Sequence, residues 1–130
     1  MRLVFAIALL TASVPAMAAE RTPRIGLAGG DLDACLSVGK VTGLNPRGDN
    51  FLSVRAEPSA RGREKDRLGP GRWLFLCDEA GDWLGVVYSS DPKARPGDCG
   101  VGSPVARVRP YSGACRTGWV HSRYVEVIAG

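Results

Sequence analysis

The sequence predicts a small all-β domain, and three observations support this fold class. After residue 18, no segment keeps the 3.6-residue apolar period of an amphipathic helix. Short runs of β-prone residues recur instead, separated by clusters of Gly, Pro, Asn and Asp. The length, 130 residues, allows one domain. Short strands separated by turns are typical of a sandwich or a barrel, and a barrel also removes exposed strand edges.

Six strand-like runs can be placed along the chain, at residues 41–44, 51–55, 72–77, 83–88, 118–120 and 124–128. The third and fourth runs, across a turn at 78–82, form the strongest predicted hairpin. Alternation in the third run places Trp73, Phe75 and Cys77 on one face, and Leu74 and Leu76 on the other. Residues 56–71 are highly charged and lack periodicity, so we expect a long exposed loop there.

The first 18 residues have the pattern of a secretory signal peptide. Arg2 supplies the positive charge, residues 3–12 carry no charge and are mostly apolar, and Ala16-Met17-Ala18 resembles an A-x-A cleavage site before Ala19. A run of about ten residues is too short for a membrane span, which needs roughly 20. We therefore expect export to the periplasm or the cell exterior, with no membrane span in the mature form.

Four cysteines, Cys35, Cys77, Cys99 and Cys115, are consistent with that destination. An even number in a small exported domain indicates disulfides, because the bacterial periplasm keeps paired thiols oxidised. Three connectivities are possible, and we favour Cys35–Cys77 with Cys99–Cys115, since the latter pair would order a Gly/Pro-rich segment. A zinc site is the competing interpretation, but the chain has no C-x-x-C and its only histidine is His121. We therefore expect no metal and no cofactor.

Four short motifs follow one another within residues 40–128. They are Leu52-Ser53-Val54-Arg55 with Glu57-Pro58-Ser59, Leu68-x-x-Gly71, Gly81-Asp82-Trp83-Leu84-Gly85-Val86, and Thr117-Gly118-Trp119-Val120-His121-Ser122-Arg123-Tyr124-Val125. In this order they resemble the motifs of the bacterial SH3 (SH3b) domains. The resemblance implies an SH3-like barrel over residues 40–130, preceded by a flexible leader at 19–39. Where that family has a tight turn before its Gly-Trp-Val strand, residues 89–116 form a long insertion here, which the second cysteine pair would pin.

The residues give little support to an enzyme. A cysteine nucleophile needs a free thiolate and a histidine base, whereas paired cysteines leave no free thiol beside His121. Asp78, Glu79 and Asp82 cluster, but they fall in a predicted hairpin turn, where such residues are expected for backbone reasons. We therefore predict no catalytic residues.

Binding is the better-supported class of function. An SH3-like barrel carries a groove lined by aromatic residues, and the resemblance implies cell-wall peptides or protein partners as ligands. We predict Tyr88, Tyr111 and Tyr124 as ligand-binding residues, with Arg55 and Arg123 beside them. Basic residues in the second half could hold nucleic acid, but an exported protein seldom meets it, so a cell-wall component or an envelope protein is the expected partner.

The alternative is a structural or inhibitory accessory protein that acts through the 89–116 insertion. Long loops without secondary structure are uncommon and are often functional. A disulfide-pinned surface excursion is the plainer interpretation of the same segment.

Overall fold

The structure is a computed structural model, and it describes residues 1–13 and 20–130. The described residues form nine β-strands and one short 3-10 helix, without an α-helix, so the all-β prediction is confirmed. The elements are β1 (Arg24–Ile25), β2 (Ser37–Val41), β3 (Leu52–Arg55), β4 (Glu64–Leu68), β5 (Trp73–Ala80), β6 (Trp83–Tyr88), β7 (Arg109–Pro110), β8 (Arg116–His121), the 3-10 helix (Ser122–Tyr124) and β9 (Val125–Ala129).

Seven strands form one sheet in the order β4-β3-β8-β6-β5-β2-β9, and β1 pairs with β7 in a separate two-stranded sheet. All strand pairs are antiparallel. The expected closed barrel is not observed, because among the described residues β4 and β9 remain unpaired edges of the large sheet. The two edges differ in chemistry: β4 reads EKDRL, whereas β9 reads VEVIA.

The predicted hairpin is present, but its turn is tighter than expected. β5 continues to Ala80, which pairs with Trp83, so Gly81 and Asp82 alone make the turn in place of residues 78–82. Gly81 has a positive φ of 58°, a conformation that glycine adopts without strain. The β5–β6 register shifts at Cys77, which is the extra residue of a β-bulge.

The charged segment 56–71, predicted as a loop, contains β4. Its five residues pair with β3, with Leu52 opposite Leu68 and Val54 opposite Asp66. Of the β4 side chains only Leu68 is fully buried, so the strand lacks the apolar alternation by which strands are recognised. Tertiary pairing therefore creates this strand, and its charged side chains suit an edge because they disfavour pairing with another chain.

The sheet separates two hydrophobic cores. The first core contains Val41, Leu52, Val54, Leu68, Leu74, Val86, Tyr88 and Val120, and every one of these residues belongs to a strand of the large sheet. The second core contains Ile25, Ala34, Cys35, Phe75, Cys77, Val87, Cys99, Val101 and Tyr111. Leu74 and Phe75 enter different cores, as do Val86 and Val87, because successive side chains of a strand point to opposite faces. The predicted division of β5 into two faces is thus confirmed for Phe75, Cys77 and Leu74.

Two segments outside the large sheet cover the second core. The described residues of the 19–39 segment contain β1 and the start of β2, so the expected domain boundary at residue 40 falls inside a strand. Residues of the 89–116 insertion supply Cys99, Val101 and Tyr111 to the same core. The disulfides are Cys35–Cys77 and Cys99–Cys115, which confirms the favoured connectivity. The first disulfide ties the leading segment to the sheet, and the second closes a loop within the insertion.

Residues 20–26 form a strap across the outer face of the sheet. The main-chain N–H of Arg21 donates to the Ala56 carbonyl, and the Arg21 carbonyl accepts a hydrogen bond from the buried Trp119 indole at 2.7 Å. The Arg21 guanidinium also lies 5.0 Å from the centre of the Trp119 ring.

Pro23 passes so close to Gly85 that a Cβ at position 85 would lie 2.9 Å from Pro23 Cβ. Glycine at this position therefore allows the strap to approach the sheet.

Residues 1–13 are exposed and form neither helix nor strand. The predicted cleavage site at Ala16-Met17-Ala18 lies outside the described residues, so the signal peptide stays a prediction. Within the described part of the chain, no helix has the length and apolar character needed to cross a membrane.

Candidate functional site

A groove of about 400 Å³ opens at the end of the sheet where β6 begins and β8 ends. Its walls come from the β2–β3 connection, β3, the loop after β3, the first residue of β6, the last residue of β8 and the 3-10 helix. The lining residues are Gly43, Leu44, Asn45, Asp49, Phe51, Leu52, Ser53, Arg55, Ala60, Trp83, His121 and Tyr124. Segments distant in the sequence therefore converge on one concave surface, which is typical of a binding site.

Three aromatic rings form one wall of the groove. Trp83 and His121 are directly opposite each other in the β6–β8 ladder, and their ring centres are 5.4 Å apart in an edge-to-face arrangement. The Tyr124 ring lies 6.4 Å from His121, also edge-on. All three side chains are only half-buried. They therefore present apolar and π surface that folding leaves accessible to a ligand.

The His121 ring is fixed by the chain that follows it. Its Nδ1 accepts a hydrogen bond from the main-chain N–H of Arg123 at 3.1 Å, which caps the 3-10 helix. Because Nδ1 is the acceptor, the neutral ring carries its proton on Nε2. The wall thus includes an imidazole with an N–H donor that this cap does not use.

Arg55 stands on β3 beside the aromatic wall. Its Nη1 donates to the Gly62 carbonyl at 3.2 Å, which anchors one side of the guanidinium. The nearby Glu64 carboxylate accepts hydrogen bonds from Ser53 and Arg67. Both hydrogen bonds lower the pKa of Glu64, and the one from Ser53 has the larger effect. In the described residues, no carboxylate oxygen lies within 4.0 Å of the Arg55 guanidinium. The groove therefore contains a half-buried cation without an ion pair.

The structure places two of the predicted ligand-binding residues at this groove, Arg55 and Tyr124. Tyr88 instead belongs to the first core, where it is 1% exposed and its hydroxyl donates to Asp66 at 2.9 Å. Burial is the main reason that the pKa of Tyr88 is raised above its usual value, and the hydrogen bond to Asp66 is the second. Because its ring is buried and its hydroxyl donates to a carboxylate of the protein itself, Tyr88 has a structural role.

Tyr111 and Arg123 also lie away from the groove. Tyr111 is buried in the second core, where its hydroxyl donates to the Cys99 carbonyl at 2.8 Å and accepts from the Cys115 N–H at 3.1 Å. It thus holds together the two ends of the insertion's disulfide loop. The Arg123 side chain is exposed and does not line the groove. Only its main chain contributes, through the cap on His121.

Trp83, His121 and Phe51 are groove residues that sequence reasoning did not select. The structure pairs Trp83 with His121 across adjacent strands. The sequence did contain a signal for this contact: Trp83 begins the strand-like run that follows Gly81-Asp82, and His121 directly follows the run at Trp119-Val120. Antiparallel pairing of those two runs would have brought them together.

The site offers limited means for catalysis. All four cysteines are in disulfides, so no free thiol faces His121. Asp49 is the one carboxylic acid among the lining residues, whereas glycoside hydrolysis uses a pair. In the described part of the chain, no cluster of three or more His, Cys, Asp or Glu side chains is arranged to hold a metal ion.

Comparison with known proteins gives no match: no protein-family model, curated protein or solved structure is significantly similar to this chain.

Proposed function

We propose that this chain is an exported, non-enzymatic binding module of the bacterial cell envelope that takes a cell-wall peptide or a protein segment in its aromatic groove. The observation that carries the proposal is the half-exposed wall of Trp83, His121 and Tyr124 in a concave site. Folded proteins bury most large aromatic rings, and aromatic side chains left accessible in a groove are typical binding determinants.

The envelope location rests on two features. The two disulfides favour an oxidising compartment, and the first 18 residues have the pattern of a signal peptide. The choice of a wall component as ligand rests on the resemblance of four motifs to SH3b domains. The absence of a free thiol and of a second groove carboxylate supports binding rather than hydrolysis.

The insertion is the less favoured location for the activity. Cys99, Val101 and Tyr111 are buried in the second core, and this packing gives residues 89–116 a structural reason to be retained. An accessory function through the insertion would use its exposed remainder. A pocket of about 350 Å³ borders the end of the insertion at Cys115 and Arg116, but the one aromatic residue that lines it is Tyr88, whose ring is buried in the first core.

The test is retention of the oxidised protein on purified peptidoglycan across a salt series, with Trp83→Ala as the variant. We expect the wild type to be retained above about 0.2 M salt, because screening at that ionic strength removes general attraction between exposed charges. Trp83→Ala should lower the retained fraction by about tenfold, as expected when a central aromatic contact is lost.

Trp73→Ala is the matched control. Trp73 is also a half-buried tryptophan of the β5–β6 hairpin, but its ring packs under Lys40, with the Lys40 Nζ 4.6 Å from the ring centre, and does not line the groove. Equal losses in the two variants, or wild-type retention that disappears at moderate salt, would contradict a groove-based function.

A further inference from the structure

The unpaired cation in the groove points to the chemistry of the ligand. Five ion pairs occur among the described residues, and their cations are Arg24, Arg63, Lys65, Arg67 and Arg116. Arg55 is in none of them, although its residue is only partly accessible and its charge is partly removed from water. A partly desolvated charge is stabilised by a partner. The described residues supply the Gly62 carbonyl as a hydrogen-bond acceptor and, beyond ion-pair distance, the Glu64 carboxylate, which stands opposite Arg55 in the β3–β4 ladder.

The hydrogen bonding of Arg55 leaves one edge of its guanidinium without a partner. Nη1 is the atom that contacts Gly62, so the edge formed by Nε and Nη2 makes no hydrogen bond within the described protein. This edge of a guanidinium matches the two oxygens of a carboxylate and binds them through two parallel hydrogen bonds. Glu64, which pairs with Arg55 across β3 and β4, already accepts hydrogen bonds from Ser53 and Arg67.

The neighbouring groups in the groove are also suited to an acceptor. The His121 ring has its Nδ1 occupied by the Arg123 N–H, which leaves Nε2–H as a donor. The Tyr124 hydroxyl makes no side-chain hydrogen bond in the described structure, so it can donate as well. Asp49 is the opposing charge in the lining, and a cationic ligand would depend on it instead.

We infer that the groove recognises a free carboxylate of a peptide ligand, held by the Nε/Nη2 edge of Arg55 beside the Trp83–His121–Tyr124 wall. This inference rests on the proposed binding function and adds the class of ligand. The peptide portion packs on the aromatic rings, and the carboxylate supplies the specific, charge-assisted contact.

The experiment compares two preparations of the same peptidoglycan, one untreated and one whose carboxyl groups are converted to amides with carbodiimide and ammonia. Retention is measured at about 0.2 M salt, where long-range attraction is screened. We expect wild-type retention to fall about tenfold on the amidated material. Because this arm uses the wild-type protein, the result does not depend on the folding of a variant.

Variants locate the effect within the groove. Arg55→Gln should lower retention on untreated peptidoglycan about tenfold and be insensitive to amidation, because the two changes remove the same contact. Arg61→Gln, an equal loss of charge at an exposed residue outside the groove, should behave as wild type. Thermal unfolding of each variant verifies that it is folded.

The outcomes separate the two proposals. Equal retention of the wild type on both preparations, at a level that Trp83→Ala abolishes, overturns the carboxylate inference and leaves the groove function standing. A loss on Asp49→Asn with no effect of Arg55→Gln assigns a cationic ligand and overturns it too. If neither preparation retains the protein, the carboxylate inference is overturned together with the cell-wall version of the proposed function, and a protein segment becomes the proposed ligand.

Discussion

The two cores lie on opposite faces of one sheet, and they are held together by different means. The buried residues of the first core all belong to strands, so the hydrogen-bond ladders that align the strands also align these side chains. The second core receives Phe75, Cys77 and Val87 from the sheet, and the rest of its residues come from β1 and from segments without regular structure. Those segments lack a ladder, and both disulfides occur there.

The β-bulge at Cys77 shows how the sheet is joined to its cover. A bulge turns two successive side chains to the same side of a strand, so Cys77 and Asp78 both face the covering segment. Cys77 bonds to Cys35, and the Asp78 carboxylate accepts from the Arg24 main chain at 3.0 Å and from the Arg24 side chain at 3.2 and 3.3 Å. A local irregularity thus provides one covalent and one ionic attachment point.

The largest expected effect is the loss of the covalent attachment. Replacing Cys35 and Cys77 by Ala together should lower the free energy of unfolding by about 4 kcal/mol, because this disulfide closes a long loop in the unfolded chain. The pair Cys99→Ala and Cys115→Ala is the control, at about 3 kcal/mol for a shorter loop. The sequence separations are 42 and 16 residues. Urea unfolding measures both, and a reversed order would contradict loop closure as the main contribution.

A second comparison uses neighbouring valines of β6, both 0% exposed. Val86→Ala opens a cavity in the first core and should cost about 2.5 kcal/mol, since each buried methyl contributes about 0.8 kcal/mol and a rigid cavity adds to the loss. Val87→Ala opens the same cavity in the second core. Its cost should be about 1 kcal/mol smaller, because loop segments relax into a cavity more readily than paired strands.

Urea unfolding of the two valine variants checks this difference. If Val87→Ala lowers the free energy of unfolding as much as Val86→Ala or more, the second core is packed as rigidly as the first. The proposed difference between a core built from paired strands and a core held by disulfides would then be wrong.

The ionic attachment should give a smaller effect, and one that depends on pH. The Asp78 side chain is 1% exposed. Burial alone would raise the pKa of Asp78, but hydrogen bonds from Arg24 and from the Glu79 N–H outweigh it and hold the pKa below 3.8. The stability that this depressed pKa provides is therefore present above about pH 3.8 and is lost as the pH falls through the folded-state value.

Asp78→Asn should lower the free energy of unfolding by about 1.5 kcal/mol at pH 7, the cost of losing charge-assisted hydrogen bonds. As the pH falls below about 3.8 towards 2, the difference from wild type should shrink, because the unfolded wild-type chain then binds a proton that the folded state disfavours. Glu20→Gln is the control: Glu20 also joins the strap to the sheet, through Lys65 and Arg63, but its side chain is 42% exposed. An exposed pair should contribute about 0.5 kcal/mol. A difference between Asp78→Asn and wild type that persists unchanged at pH 2 would contradict the ionic attachment.

The groove illustrates why its residues were only partly predictable. Tyr124 was predicted to bind a ligand because the polar end of a tyrosine favours a position at the surface, and it does line the groove. Tyr88 and Tyr111 have the same polar end, but their hydroxyls are satisfied inside the protein by Asp66, Cys99 and Cys115. Residue type cannot distinguish the two cases, because the partners of a hydroxyl are set by contacts distant in the sequence.

By itself, the sequence determined the all-β class, the β5–β6 hairpin, the two faces of β5 and the presence of disulfides. These features follow from local alternation, turn residues and the even cysteine count, which act over a few residues or through composition. The tertiary structure alone decided that charged residues 64–68 become the edge strand β4, that the sheet stays open, and that the 20–26 strap and the insertion cover a second core. It also placed Trp83 beside His121. Each of these features depends on pairing or packing between segments that are distant in the sequence. The free energy of such contacts cannot be read from the local residue pattern of either segment.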